Sequence, residues 1–165
     1  MENLYDSYNS IVKDILENEE FNKLKYIEHH GITRYEHSFK VSYISYLIAR
    51  NLHFKKEEVA RAGLLHDFFI SSDDRTIKEK TLSTFTHPKK ALENANKNFK
   101  LSKREQNIIK SHMFPLYITM PRYKESVLVS LVDKIVALFE FSAKFKSKFK
   151  YASNLYILIL FGILK

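Results

Sequence analysis

Several ionisable residues stand where a helical protein would normally carry apolar side chains. His37, His66, His112 and Asp133 each fall on the apolar face of a separate predicted helix. An ionised carboxylate facing a core is costly unless it is paired or bound to a metal. Four helices that each aim one such group inward predict that the groups meet, and a divalent ion is the simplest object that satisfies them all. Mixed imidazole and carboxylate donors suit Fe, Mn, Co, Ni or Zn, with Mg admissible, more than Ca. The adjacent pair His66-Asp67 is the sharpest element. Neighbours on a helix point about 100° apart, so one ion takes both only where the helix ends and its geometry relaxes. Phe68 and Phe69 leaving the helix fit that placement.

The elements that must position these residues are helices. A first amphipathic stretch covers about 3–18, with Leu4, Ile11, Ile15 and Leu16 at helical spacing. A second runs from Asn22 to about His29 and stops at Gly31. Thr33 and Glu36 have capping-box spacing and open a third helix with His37, Val41, Ile44 and Ile48 on one face. A fourth covers Lys56 to Leu65, with Val59, Ala62, Gly63 and His66 inward; Gly63 costs helix stability, which predicts close helix packing there. Residues 68–86 read as a polar loop. Thr86-His87-Pro88 then begins a fifth helix with Pro88 in its first turn. Ser102 and Glu105 form a second capping box before Ile108, Ile109 and His112. A loop bracketed by Pro115 and Pro121 leads to a seventh helix, about Tyr123 to Phe145, with Val129, Asp133, Val136 and Glu140 on one stripe. A last, apolar helix is expected over 152–164. No alternation of strands and helices is visible, so the fold class is all-α.

Composition agrees with that organisation. The 165 residues are 45% hydrophobic and 28% charged, a globular balance for one domain over 1–165, with a motif-bearing core at about 33–140. Three Gly and three Pro disfavour a turn-rich β-fold. The absence of Cys excludes disulfides, zinc ribbons and thiol catalysis, and suits a cytoplasmic protein. The N-terminus has no signal-peptide pattern, and the apolar run Leu155 to Leu164 is too short to span a bilayer. The formal charge of +8 favours polyanionic partners such as nucleotides, nucleic acid or an acidic membrane.

The order His37, His66-Asp67, His87, His112, Asp133 resembles the HD superfamily of metal-dependent phosphohydrolases. The surroundings are similar too: Arg34-Tyr35-Glu36-His37-Ser38, Ala62-Gly63-Leu64-Leu65-His66-Asp67 and Ser130-Leu131-Val132-Asp133-Lys134. The resemblance implies an HD-type helical bundle. It implies that His37, His66, Asp67 and Asp133 hold one metal, and that His87 and His112 hold a second with Asp67 bridging. Two metals roughly 3.5–4 Å apart clamp the attacking and leaving oxygens of a phosphoryl displacement. It implies a phosphate ester or anhydride as substrate, a nucleotide on charge and family grounds. Arg34, one turn before His37, becomes a candidate for meeting phosphate charge. The chain departs from some family members at Ile70, where they carry Lys or Glu, and it lacks the Gly-Tyr-Pro signature of one phosphodiesterase branch. Asp73 or Asp74 could supply the missing general acid. The motif order is closest to that of bacterial HD hydrolases that cleave dinucleoside polyphosphates.

Two other readings compete. One is a non-catalytic HD module that binds metal or nucleotide; the other is a nucleic-acid or membrane-surface protein using the basic stretch Lys144–Lys150. Outside the cluster, His29, His30 and His53 read as surface residues at helix ends, and Lys124 and Lys134 as solvent-facing. His87 has an alternative as an N-cap, and Glu140 reads as a structural partner of the stripe that bears Asp133. The apolar final helix is expected to be buried, in this domain or in a homodimer.

Overall fold

A computed structural model describes residues 3–29, 31–70 and 77–160, with side chains for all of these except 29, 77–85 and 145–160. The chain forms seven helices and one short hairpin among these residues: α1 (Leu4–Leu16), α2 (Glu19–Asn22), a 3-10 turn (Lys23–Tyr26), β1 (Glu28–His29), β2 (Ile32–Thr33), α3 (Arg34–Asn51), α4 (Lys56–Leu65), α5 (Ile77–Asn98), α6 (Lys103–Ser111) and α7 (Lys124–Leu160). The all-α expectation holds. The helices form a bundle in which α3 packs on α4 and α7, α6 packs on α4 and α7, and α1 and α5 lean on α4 and α6 respectively. None of the described helices is long and apolar enough to cross a membrane.

Both predicted capping boxes form. The Thr33 hydroxyl accepts from the Glu36 amide at 3.1 Å while the Glu36 carboxylate accepts from the Thr33 amide at 2.8 Å. Ser102 and Glu105 repeat the exchange at 3.1 and 2.6 Å. Each box fixes where a helix begins, and so where His37 and His112 fall along α3 and α6.

The core lies between α3, α4, α6 and α7. Val41, Leu64, Leu65, Phe68, Ile108, Ile109, Val129 and Val132 are buried there. Tyr8 anchors α1. The Ser42 hydroxyl donates to the Ala60 carbonyl at 2.6 Å, which leaves the Tyr8 hydroxyl as the donor in its 2.7 Å bond to Ser42. Arg61 ties three helices through the Ile11 carbonyl, Asp14 and Glu105.

Several expected boundaries move. The inward face of α1 is Tyr8, Val12 and Ile15, with Leu4, Ile11 and Leu16 only half-buried. The predicted second helix is α2, a 3-10 turn and a hairpin, with Gly31 at φ +95° in its connection. Two-residue strands are too short to show an alternating pattern. Ile44 is exposed: the buried face of α3 is His37, Ser38, Val41, Ser42, Ser45, Tyr46 and Ala49, with Ser42 against Gly63 of α4. The loop expected over 68–86 is helical from Ile77, and Pro88 lies inside α5 instead of opening it. Pro88 leaves the carbonyl four residues earlier without its helical donor; Pro88, Ala91 and Ala95 are buried on the inward face of α5. The predicted seventh and eighth helices are one, α7, with 161–164 outside the described residues.

Gly63 is where α4 meets α3. A Cβ there would stand 3.0 Å from the Ser42 backbone Cα and 3.5 Å from its Cβ. Backbone cannot yield as a flexible side-chain tip can. Gly63→Ala is therefore expected to cost about 1–3 kcal/mol of strain against about 1 kcal/mol of helix propensity gained. A net destabilisation in denaturant unfolding checks this, with Gly63→Val losing more; a more stable Ala variant would contradict the close approach.

Candidate metal centre

Two helix ends carry the same device. His66 directly follows the last residue of α4, and His112 directly follows α6. The last carbonyls of a helix lack intrahelical donors. Here each imidazole supplies one: His66 Nδ1 lies 2.7 Å from the Gly63 carbonyl oxygen, and His112 Nδ1 lies 2.7 Å from the Ile109 carbonyl oxygen. A carbonyl oxygen only accepts, so Nδ1 holds the proton and, in the neutral ring, Nε2 holds a lone pair. The His112 carbonyl is in turn gripped by the Ser130 hydroxyl at 2.7 Å and the Lys134 ammonium at 2.9 Å.

His37, one turn into α3, is oriented from α7. Its Nδ1 contacts Glu140 Oε2 at 2.8 Å, and Lys40 donates to the other Glu140 oxygen at 3.1 Å. Its Nε2 lies 3.0 Å from Asp133 Oδ1, which is also 3.5 Å from His66 Nε2. Asp133 and Glu140 are seven residues apart, two helical turns, so one face of α7 engages both nitrogens of one ring.

The second half of the cluster gathers around Asp67. Its Oδ1 lies 3.3 Å from His87 Nε2 and 3.7 Å from His112 Nε2, and the two histidine nitrogens are 2.9 Å apart. Arg34 Nε stands 3.9 Å from Asp67 Oδ2. The Arg34 guanidinium donates to the Phe69 carbonyl at 2.6 Å and lies 3.8 Å from the Phe69 ring centre, while the same ring stacks on His87 at 5.1 Å. Arg34 thus sits buried against Asp67 and Phe69, not in water as a first-turn arginine could.

The electrostatics follow from burial. The apolar surroundings press the His112 pKa down, with help from His66 and His87, to about 3, so this ring is neutral. Burial also works against charge on His37, but its hydrogen bonds to Asp133 and Glu140 outweigh it and lift the ring to about 9. His66 moves upward as well, burial being overcome by Asp67 and Asp133. Burial opposes ionisation of Asp133, yet the neighbouring imidazoles hold it well below the usual carboxylate range. The cluster thus holds its two carboxylates ionised by surrounding them with the rings of His37 and His66 and the Arg34 guanidinium.

Those donors fit a cation. The ligand atoms of His37, His66 and Asp133 all lie within 4.8 Å of one another, as do those of His66, Asp67 and His112. With metal–ligand bonds of about 2.0–2.2 Å, donors around one ion stand at most ~4.4 Å apart, so small adjustments suffice. His66 Nε2 is buried and makes no hydrogen bond among the described residues. A buried ring nitrogen that faces carboxylates without a hydrogen bond suits a cation between them, a proton or a metal ion.

All six residues of the expected set, His37, His66, Asp67, His87, His112 and Asp133, converge on one site. Asp73 and Asp74 lie outside the described residues, as do His30, the His29 side chain and the side chains of 145–150 in the basic stretch. Ile70 is exposed and His53 occupies the exposed α3–α4 turn at φ 54°. Lys124 lies over the Phe54 ring, 4.2 Å from its centre. Lys134, expected in solvent, is half-buried behind His112 because Ser130 and two carbonyls accept its protons. Sequence reading also missed Ser130 and Phe69 as supports. Ser130 stands one turn before Lys134, a small polar residue on an apolar stripe, which is the signal that was available.

The fold and the cluster agree with a family model that matches the chain, described as HD domain and covering residues 34–138. No curated protein and no solved structure gives a significant match. The matched stretch begins at the arginine beside Asp67 and contains all six clustered residues, and the chain belongs to the HD domain family.

Proposed function

We propose that this protein is a metal-dependent phosphohydrolase acting on a phosphate ester or anhydride, with a nucleotide as substrate. The observation that carries the reading is the convergence of four imidazoles and two carboxylates in one buried site, with the Nδ1 atoms of His66 and His112 committed to carbonyls. His37, His66, Asp67 and Asp133 would hold one divalent transition ion. His87 and His112 would hold a second, with Asp67 shared. The mixed nitrogen and oxygen set suits Fe, Mn, Co, Ni or Zn. Such ions supply Lewis acidity and lower the pKa of bound water.

The chain's own residues do the rest. The Gly63 and Ile109 carbonyls fix two imidazole tautomers, Glu140 fixes a third, and Arg34 holds Asp67 in place. Partners of this kind orient the ligands and raise their basicity. Burial keeps bulk water from competing for the carboxylates. The net charge of +8 favours approach of a polyanionic substrate.

Elemental analysis of protein purified without chelator should find about two equivalents of transition metal per chain. Asp67→Ala should lose nearly all of it, and His112→Ala should fall to about one. Turnover of a nucleotide panel should follow metal content. No metal even after reconstitution would sink the proposal, and full metal without turnover of any phosphate substrate would leave a binding module in its place.

Glu140 lies outside the ligand set but orients His37. Glu140→Gln should weaken metal affinity or activity by about 10–100-fold while the fold persists. Competition with a chelating dye reads the affinity, and an unchanged value would show that His37 needs no anchoring.

A further inference from the structure

We propose that the outward face of α7 is a coiled-coil seam that pairs the protein with a second copy of itself. The inward face of α7 is accounted for by Val129, Val132, Asp133, Val136 and Glu140, all buried against the bundle. The opposite face is not. Leu131, Ile135 and Leu138 are 55%, 53% and 65% exposed, and Phe139 and Phe141 beside them are exposed at 72% and 60%. Isolated exposed apolar residues need no explanation, but a contiguous patch of large ones marks an interaction surface.

The spacing identifies the occupant. Leu131, Ile135, Leu138 and Ser142 follow one another by four, three and four residues. The sequence continues the same alternation through Phe145, Phe149, Ala152, Tyr156 and Ile159, and the backbone of α7 is helical to Leu160. This is a seven-residue repeat sustained for four heptads, eight of its nine positions apolar. A repeat of 3.5 residues on a helix of 3.6 per turn makes a seam that a second helix follows only by supercoiling with it. A short peptide or a flat surface would match a few of these positions. A second α7 matches them all, since a twofold contact brings the same patch from both subunits together.

Length and charge agree. At 37 residues α7 extends about 55 Å, much more than the bundle needs to place Asp133 and Glu140. No Asp, Glu, Lys, Arg or His occupies a seam position from 131 to 159. The cation nearest the described part of the seam, Lys134, is turned back onto Ser130 and the His112 carbonyl. In sequence the lysines at 146 and 148 fall at the flanks of the seam, and those at 144 and 150 fall on the outer side of the helix.

Sedimentation equilibrium on the full chain tests this without reference to hydrolysis. The wild type should behave as a species of twice 19.6 kDa at micromolar concentration. Leu131→Glu with Leu138→Glu replaces exposed side chains, so it should keep the wild-type circular dichroism and metal content while the dimer dissociation constant rises on the order of 100-fold. Lys110→Glu, exposed on α6, should remain dimeric. A wild type that stays monomeric at high concentration, or a double variant that still dimerises, would overturn the proposal. So would a monomer that binds vesicles of phosphatidylserine and phosphatidylcholine and loses them on the same double substitution, which would make the face a membrane contact.

Discussion

Two carboxylates, Asp67 and Asp133, lie buried within reach of the same histidine, and the architecture around them follows from the need to balance their charge. Buried anions without partners are expensive. Asp133 takes the rings of His37 and His66; Asp67 takes Arg34 and faces His87 and His112. Satisfying both at once requires side chains from α3, α5 and α7 and from the ends of α4 and α6. The bundle brings those five helices to one point.

The precision of the site comes from helix ends more than from helix faces. His66 and His112 each stand immediately after a helix and bond the carbonyl three residues back. Rings placed this way are tied to backbone, whose position is set by packing, and not to mobile side chains. The packing is correspondingly tight behind them. Gly63, whose carbonyl receives His66, is the residue whose missing side chain lets α4 approach Ser42 on α3. The contact that joins two helices and the bond that fixes a ring thus share one residue. A bulkier residue at 63 would disturb stability and ring orientation together.

The all-α class was legible in the sequence, and so was the set of residues that the fold brings together; the element boundaries were less so. His37, His66, His112 and Asp133 were visible because ionisable residues on apolar faces violate a strong rule, and the resemblance placed Asp67 and His87 beside them. Capping boxes gave the starts of α3 and α6, since Thr33 and Ser102 act on residues three positions away. What failed was whatever depended on distant packing. Pro88 is a good first-turn residue, so it was read as a helix start, but its neighbours pack well enough for α5 to run through it. The serines of α3 concealed its inward face, because a polar residue type does not signal burial even where, as at Ser42, a small side chain sits against another helix. The carbonyls of Gly63 and Ile109 were invisible in principle, since a backbone acceptor leaves no mark in residue type.

Glu140 shows how far such a centre extends beyond the groups that touch it. The family match ends at residue 138, two positions before it. Yet His37 could not present Nε2 to Asp133 with the same certainty if its Nδ1 proton had no fixed acceptor, and Glu140 Oε2 is that acceptor at 2.8 Å. Lys40, one turn below His37 on α3, holds the second oxygen; burial opposes ionisation of Glu140, but the His37 ring and then Lys40 overcome it and hold the pKa down. The link from Lys40 through Glu140 and His37 to Asp133 crosses between α3 and α7 three times. It clamps the two helices at the level of the site, so sliding α7 by one residue along α3 would break both contacts of one ring. The seven-residue interval between Asp133 and Glu140 is therefore a constraint on helix register, and the chemistry of His37 depends on it as much as on any direct neighbour.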